Sequence, residues 1–258
     1  MKCGYLFSNF QIPSEANNYS LKCLTFVIIS KDYGAMIFDT GSPFNPEEVL
    51  TQLKENFDLN PEDIKWVFNT HFHPDHVGTN KYFKKAKFIF PKRDLQFACE
   101  VAEVVFSNKD LLKFLFDRCP GYIDNFTKTE ETNIKYYFKN FWSDENLGLK
   151  LTHGFIEDNT EIPDFIIPLE TFGHTHYSYS FKILSEINNY YITGDSVSNR
   201  LILKSDNLER LTDPHMDFDK YFKTIDFFKK QNGIIIPGHD RPFYMEDSTP
   251  IKEKVFEI

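Results

Sequence analysis

The chain has 258 residues, with 29 basic against 38 acidic side chains and a formal charge of −9. That balance excludes the basic face a nucleic-acid binder needs, and no apolar run approaches the roughly 18 residues of a membrane span. At 41% hydrophobic and 26% charged the composition is that of a globular protein able to fill a core, and the start Met1-Lys2-Cys3-Gly4 shows no secretory-signal pattern, so a cytoplasmic location is expected.

Residues 21–30 and 35–39 are β-branched and aromatic runs separated by Lys31-Asp32-Tyr33-Gly34, a hairpin signal. Pro46 opens a helix over 47–57, with Val49, Leu50, Leu53 and Phe57 at helical spacing. A strand at 64–69 then runs into His71-Phe72-His73-Pro74-Asp75-His76. The second half repeats the plan. Strands at 181–185 and 190–193 form a hairpin ending in Gly194-Asp195, a helix follows at 219–230, and a strand at 233–236 leads to Pro237-Gly238-His239-Asp240. At one constant offset Phe26 falls on Phe181, Ser30 on Ser185 and Ile37 on Ile192. Two halves of this kind imply two sheets packed face to face, helices outside, and the histidine-bearing strand ends at one rim. Residues 95–160 break the pattern. The stretches 95–119 and 134–141 read as helical and aromatic, an insertion packed over one face as a lid or a structural unit. The cysteines Cys3, Cys23, Cys99 and Cys119 are far apart, with no C-x-x-C pair, and read as free thiols of a reducing compartment.

Three of the eight histidines lie within the hexapeptide 71–76. Alternate residues at a strand end project the same way, so His71 and His73 can converge on one ion, while the turn at Pro74 lets Asp75 and His76 face a second. Imidazole and carboxylate suit zinc or a similar borderline cation. His174 in Phe172-Gly173-His174-Thr175, Asp195 after Gly194, and His239 after Gly238 each read as turn residues when taken singly; beside the hexapeptide they read as further ligands.

The ordered set of H-x-H-x-D-H at 71–76, G-H-T at 173–175, G-D at 194–195 and P-G-H at 237–239, with the Asp39-Thr40-Gly41 turn, resembles the metallo-β-lactamase fold superfamily. The match spans most of the chain outside 95–160. It implies an α/β fold, an αββα sandwich with a mainly helical insertion, forming one domain over residues 1–258. It also implies a dinuclear centre: His71, His73 and His174 on one ion, Asp75, His76 and His239 on the other, and Asp195 bridging. The two divalent ions are expected to be zinc, with Mn2+ or Fe2+ open. Ions roughly 3.5–4 Å apart would share a hydroxide that attacks an acyl carbon. Asp75 is the expected catalytic residue, orienting that hydroxide or taking a proton. For Asp39 a turn role is expected ahead of orienting a ligand histidine.

In layout the chain is most similar to N-acyl-homoserine lactonases, which carry a tyrosine three residues after the bridging aspartate. Ser198 stands there in this chain, so Tyr136, Tyr137 or His215 would have to supply the donor, and His215 and Ser198 are the candidate substrate contacts. Glyoxalase II-like enzymes share the ligand set but add a helical segment after the last histidine. The expectation is a metal-dependent hydrolase of a small ester or lactone. A thioester hydrolase and a mono-iron sulfur dioxygenase-like enzyme are the alternatives. Small molecules are the expected partners, not nucleic acid or membrane, with a homodimer left open. His176 is expected near the site without ligating, and His153 on the surface.

Overall fold

Strands form the two central layers of the computed structural model, which describes residues 1–11, 20–119, 128–205 and 216–258. The first sheet contains β1 (Lys2–Gln11), β2 (Ser20–Ser30), β3 (Gly34–Phe38), β4 (Ile64–Phe68), β5 (Lys87–Phe90) and β6 (His153–Phe155). The second contains β7 (Ile166–Glu170), β8 (Tyr179–Ile183), β9 (Tyr190–Gly194), β10 (Ile234–Pro237) and β11 (Phe243–Tyr244), while β12 (Val255–Glu257) returns to pair with β1. The strand orders are β12-β1-β2-β3-β4-β5-β6 and β11-β10-β9-β8-β7.

Strict alternation explains why both faces of these sheets are covered. In β9 and β10, Tyr190, Ile192, Ile234 and Ile236 face Phe26, Ile28, Met36, Phe38 and Phe68 of the other sheet. The residues between them, Tyr191 and Ile235, point outward onto Tyr221, Ile225 and Phe228 of the helix Phe218–Lys229. On the opposite outer face Val27, Ile37 and Val67 meet Val49, Leu53 and Phe57 of α1 (Pro46–Phe57). Helix, sheet, sheet, helix is therefore the layer order of an αββα sandwich. α1 begins with Pro46 at a position where its missing N–H costs nothing, and Glu47 and Glu48 sit in the first turn, favourable to the helix dipole.

The repeated plan is visible in the pairing. β2 and β3 are antiparallel and β3 and β4 parallel; β8 and β9 are antiparallel and β9 and β10 parallel. The two hairpins differ in register by one residue, because Phe26 pairs with Phe38 whereas Phe181 pairs with Ile192. The constant offset is thus a correspondence of elements, not of every pair.

The insertion departs from the expectation at both ends. α2 (Pro74–Val77) precedes it, and its helices are α3 (Lys92–Phe106), α4 (Leu111–Arg118) and α5 (Lys128–Phe141). The run expected over 95–119 breaks at Asn108, which adopts φ 51°, and restarts where the Asp110 side chain caps the Lys113 N–H. Phe97, Val101, Val105, Leu111, Leu115 and Tyr137 give these helices a small core of their own. The last part is not helical: β6 extends the first sheet in parallel with β5. No helix among the described residues is long and apolar enough to cross a membrane. Two further α-helices are described, α6 (Arg200–Lys204) and α7, the Phe218–Lys229 helix already named.

Candidate metal centre

Both halves of the chain bring their polar loops to one rim. Beyond β4 the chain bends at Thr70 and is extended again at His73 (φ −73°, ψ 149°), then Pro74 starts α2, so Asp75 and His76 sit in a first helical turn. From the second sheet come the loop after β7 with His174, the turn after β9 with Asp195, and the end of β10 with His239. Backbone bonds fasten the two sheets together here: Tyr179 N–H donates to the Thr70 carbonyl at 2.9 Å, and Leu24 N–H to the Gly238 carbonyl at 2.7 Å. Asp195 can occupy its place because Gly194 turns at φ 49°, where a Cβ would lie 2.4 Å from Thr70 Oγ1.

The seven residues expected as ligands converge. Three overlapping groups hold their donor atoms within 4.8 Å of one another: His71, His73, His174 and Asp195; His76, Asp195 and His239; and Cys23, Asp75 and His239. His174 Nε2 is 3.0 Å from His73 Nδ1 and 3.3 Å from Asp195 Oδ2. His239 Nε2 is 3.0 Å from Asp195 Oδ2 and 3.5 Å from Asp75 Oδ2, and His76 Nε2 is 3.3 Å from Asp195 Oδ1. Asp195 is thus common to two of the groups.

The partners of the outer ring nitrogens set which lone pairs face inward. Thr70 Oγ1 donates to Asp39 Oδ2 at 2.8 Å, so toward His71 Nδ1, 2.9 Å away, it acts as acceptor. Asp39 Oδ2 also accepts from His76 Nδ1 at 2.8 Å, and the Lys22 carbonyl accepts from His239 Nδ1 at 2.9 Å. Each bond engages Nδ1 as the outer donor and points Nε2 at the cluster, where it can give its lone pair to a cation in place of a proton. Asp39 therefore does more than turn the chain. It has the φ of 54° expected of a turn residue, yet it also fixes His76 and, through Thr70, His71.

Charges follow from burial and these neighbours. Burial, with His76, His73 and His174 close by, holds His71 well below the ordinary histidine value. For His239 burial disfavours the cation, but the Asp195 carboxylate outweighs it and pushes the group up to about 9. Burial likewise opposes charge on Asp195, and His239, His76 and His174 nevertheless hold it well below the ordinary carboxylate range.

The cluster fits divalent cations. His71 is fully buried and its Nε2 has no hydrogen-bond partner, a costly state for an imidazole nitrogen unless a cation completes it. Five imidazoles and two carboxylates on the rim are the donor set that zinc and similar ions take.

The other expected residues divide. Ser198 is buried behind His239: its carbonyl accepts the His239 N–H at 2.8 Å and its hydroxyl accepts from Asn199 Nδ2 at 3.2 Å. His215 lies outside the described residues. Tyr136 is exposed, whereas Tyr137 is buried on α5 and feels the Asp75 charge, which with burial pushes its phenol up. His176 contacts Cys119 Sγ at 3.1 Å instead of the cluster; His153 is exposed on β6.

Three contributors carry no signal of their own in the sequence. Thr70 precedes the hexapeptide, and its role depends on Asp39 across the sheet. Asp94, near the start of α3, accepts the Phe72 N–H at 2.7 Å and lies beside Thr175, so it ties the loop of His71 and His73 to the loop of His174. Cys23 donates its thiol to Asp75 Oδ2 at 3.2 Å. All three gain meaning only from contacts between distant segments.

A model of the metallo-beta-lactamase superfamily matches residues 21–89. Among solved structures, AidC, described as a dizinc quorum-quenching lactonase in complex with the product N-hexanoyl-L-homoserine, superposes with a TM-score of 0.64 at 17% identity, covering 91% of this chain and 77% of its own. An N-acyl homoserine lactone hydrolase with the same product at its catalytic metal centre gives 0.60 at 16% identity, covering 93% of each chain. The hydrolase AbOPH, of the beta lactamase superfamily, gives 0.64 at 15% identity, covering 98% of this chain and 94% of its own. At such identities the likeness establishes the fold.

Proposed function

Starting from a chain that has the metallo-β-lactamase fold, we propose that it is a metal-dependent hydrolase of small esters or lactones. His71, His73 and His174 would hold one divalent ion, Asp75, His76 and His239 a second, with Asp195 reaching both; zinc is the expected metal. The observation that carries this reading is the ring of Nε2 atoms on His71, His76 and His239, each pointed inward by a hydrogen bond at its Nδ1. Bound ions would supply Lewis acidity toward an acyl oxygen and an acidified water at neutral pH.

The side chains do the rest. Asp39 and the Lys22 carbonyl keep the imidazoles oriented. Asp75, with Oδ2 at 3.5 Å from His239 Nε2, is placed to accept the proton lost by the attacking water and to return it to the leaving oxygen. Tyr137 is the phenol we assign to the donor role that Ser198 does not fill. It is buried within reach of the Asp75 charge and lines a small cavity with Pro43, Val77, Gly78, Lys81 and Phe141. The neighbours that hold N-hexanoyl-L-homoserine as product favour a lactone among the possible esters.

Zinc-loaded protein should be assayed against N-acyl-homoserine lactones, simple carboxylic esters and acyl thioesters, beside Asp195→Asn. Lactone or ester turnover that the variant loses is the expected result. Turnover of thioesters alone would overturn the substrate assignment, and an Asp195→Asn enzyme with two metals and full activity would overturn the role given to Asp195.

A further inference from the structure

We propose that Cys23 is a thiolate ligand of the second metal position, joining Asp75, His76 and His239 there. The inference rests on the dinuclear reading above. Its first support is geometric. Donor atoms bound to one ion at about 2.0–2.3 Å sit roughly 3–4 Å from one another. Cys23 Sγ is 3.2 Å from Asp75 Oδ2, Asp75 Oδ2 is 3.5 Å from His239 Nε2, and all three donors lie within 4.8 Å.

The second support is that Cys23 is held in place. The Lys22 carbonyl accepts from His239 Nδ1 at 2.9 Å, and Leu24 N–H donates to the Gly238 carbonyl at 2.7 Å. Cys23 is thus clamped on both sides to the segment that bears His239, on an interior strand. A thiol serving only as packing would lie among apolar side chains, whereas this fully buried one faces a carboxylate and an imidazole.

A third observation points to a ligand at the same place. His76 has no solvent exposure, its Nε2 has no hydrogen-bond partner, and that nitrogen faces Asp75 Oδ2 at 3.6 Å and Asp195 Oδ1 at 3.3 Å. An ion placed to satisfy His76 would adjoin Asp75 Oδ2, the same oxygen that Cys23 Sγ contacts at 3.2 Å. On binding, the thiol releases its proton to solvent and the sulfur lone pair forms the bond. A sulfur donor shifts preference toward zinc or cobalt and away from manganese.

The test uses the whole chain loaded with Co2+, with metal content measured per chain. Wild-type protein with two cobalt ions should show a near-ultraviolet thiolate-to-cobalt charge-transfer band, lost in Cys23→Ser and kept in Cys3→Ser and Cys119→Ser. Chelator competition should show the second ion held at least about 10-fold less tightly in Cys23→Ser, since losing even a residue that only orients a ligand costs about 10–100-fold. X-ray absorption of the zinc-loaded wild type needs no variant and should show a Zn–S distance of about 2.3 Å. Two bound metals with neither sulfur signature would overturn the inference alone. Fewer than two metals per chain would overturn the dinuclear reading and the inference with it.

Discussion

Asp94 allows a stability measurement that does not depend on turnover. The side chain is buried, and burial raises its pKa from 3.8 to about 6 even though the Phe72 N–H donates to it. The folded chain therefore binds this proton more tightly than the unfolded chain. Its contribution is fully present below about 3.8 and is lost as pH rises through about 6. At ~1.36 kcal/mol per pH unit, that interval is worth about 3 kcal/mol, of which about 2 kcal/mol falls between pH ~4.5 and ~7.5. Asp94→Asn keeps an oxygen to accept the Phe72 N–H and removes the titration. In urea unfolding of metal-stripped protein, the variant should therefore gain about 2 kcal/mol on wild type as pH rises across that window. The histidine cluster titrates in both proteins and cancels in the difference. A stability difference that stays flat with pH would refute the account of Asp94 as a buried carboxylate charged at cost.

Asp39→Asn should weaken metal binding about 10–100-fold in chelator competition, because an amide cannot accept the Thr70 N–H at one atom and both Thr70 Oγ1 and His76 Nδ1 at the other, as the carboxylate does; unchanged affinity would mean that the histidines are oriented by packing alone. Gly238→Ala should reduce bound metal below that of wild type, since the added Cβ would lie 2.0 Å from Asp195 Oδ1; elemental analysis giving a full metal complement would show that Asp195 can yield. Tyr137→Phe should lower kcat about 100-fold while metal content and unfolding midpoint hold, the scale of losing one donor to a developing oxyanion. A normal kcat would take Tyr137 out of the reaction.

Much of the site is legible in the chain because its candidate ligands follow strand ends, and strand ends announce themselves by apolar runs that stop at polar or turn-forming residues. His71 to His76 follow β4, His174 follows β7, Asp195 follows β9 and His239 follows β10, and the parallel pairing of β9 with β10 brings the ends that bear Asp195 and His239 to the same rim. What escapes depends on pairs of distant segments. Cys23 looks like any isolated thiol until the bonds between β2 and the His239 segment place it beside Asp75. Asp94 looks like a helix-start carboxylate, although its partner is the amide of Phe72. Asp39 looks chiefly like a turn residue, and nothing local reveals its bond to His76. β6 hides within a helical insertion, because an edge strand three residues long is held by main-chain bonds to β5, which leave no mark on side-chain pattern.

The rim draws four of its seven histidine and aspartate candidate donors from the first sheet and three from the second, so an ion seated there would be a rivet through the sandwich. Tightening the rivet and closing the two sheets are then one free-energy change seen from two ends. The aromatic contact of Phe181 with Phe38 and Phe68, in the interior between the layers, touches no donor atom. It nonetheless helps hold the two plates together, and residues that never meet a bound ion would share in setting how firmly it is kept.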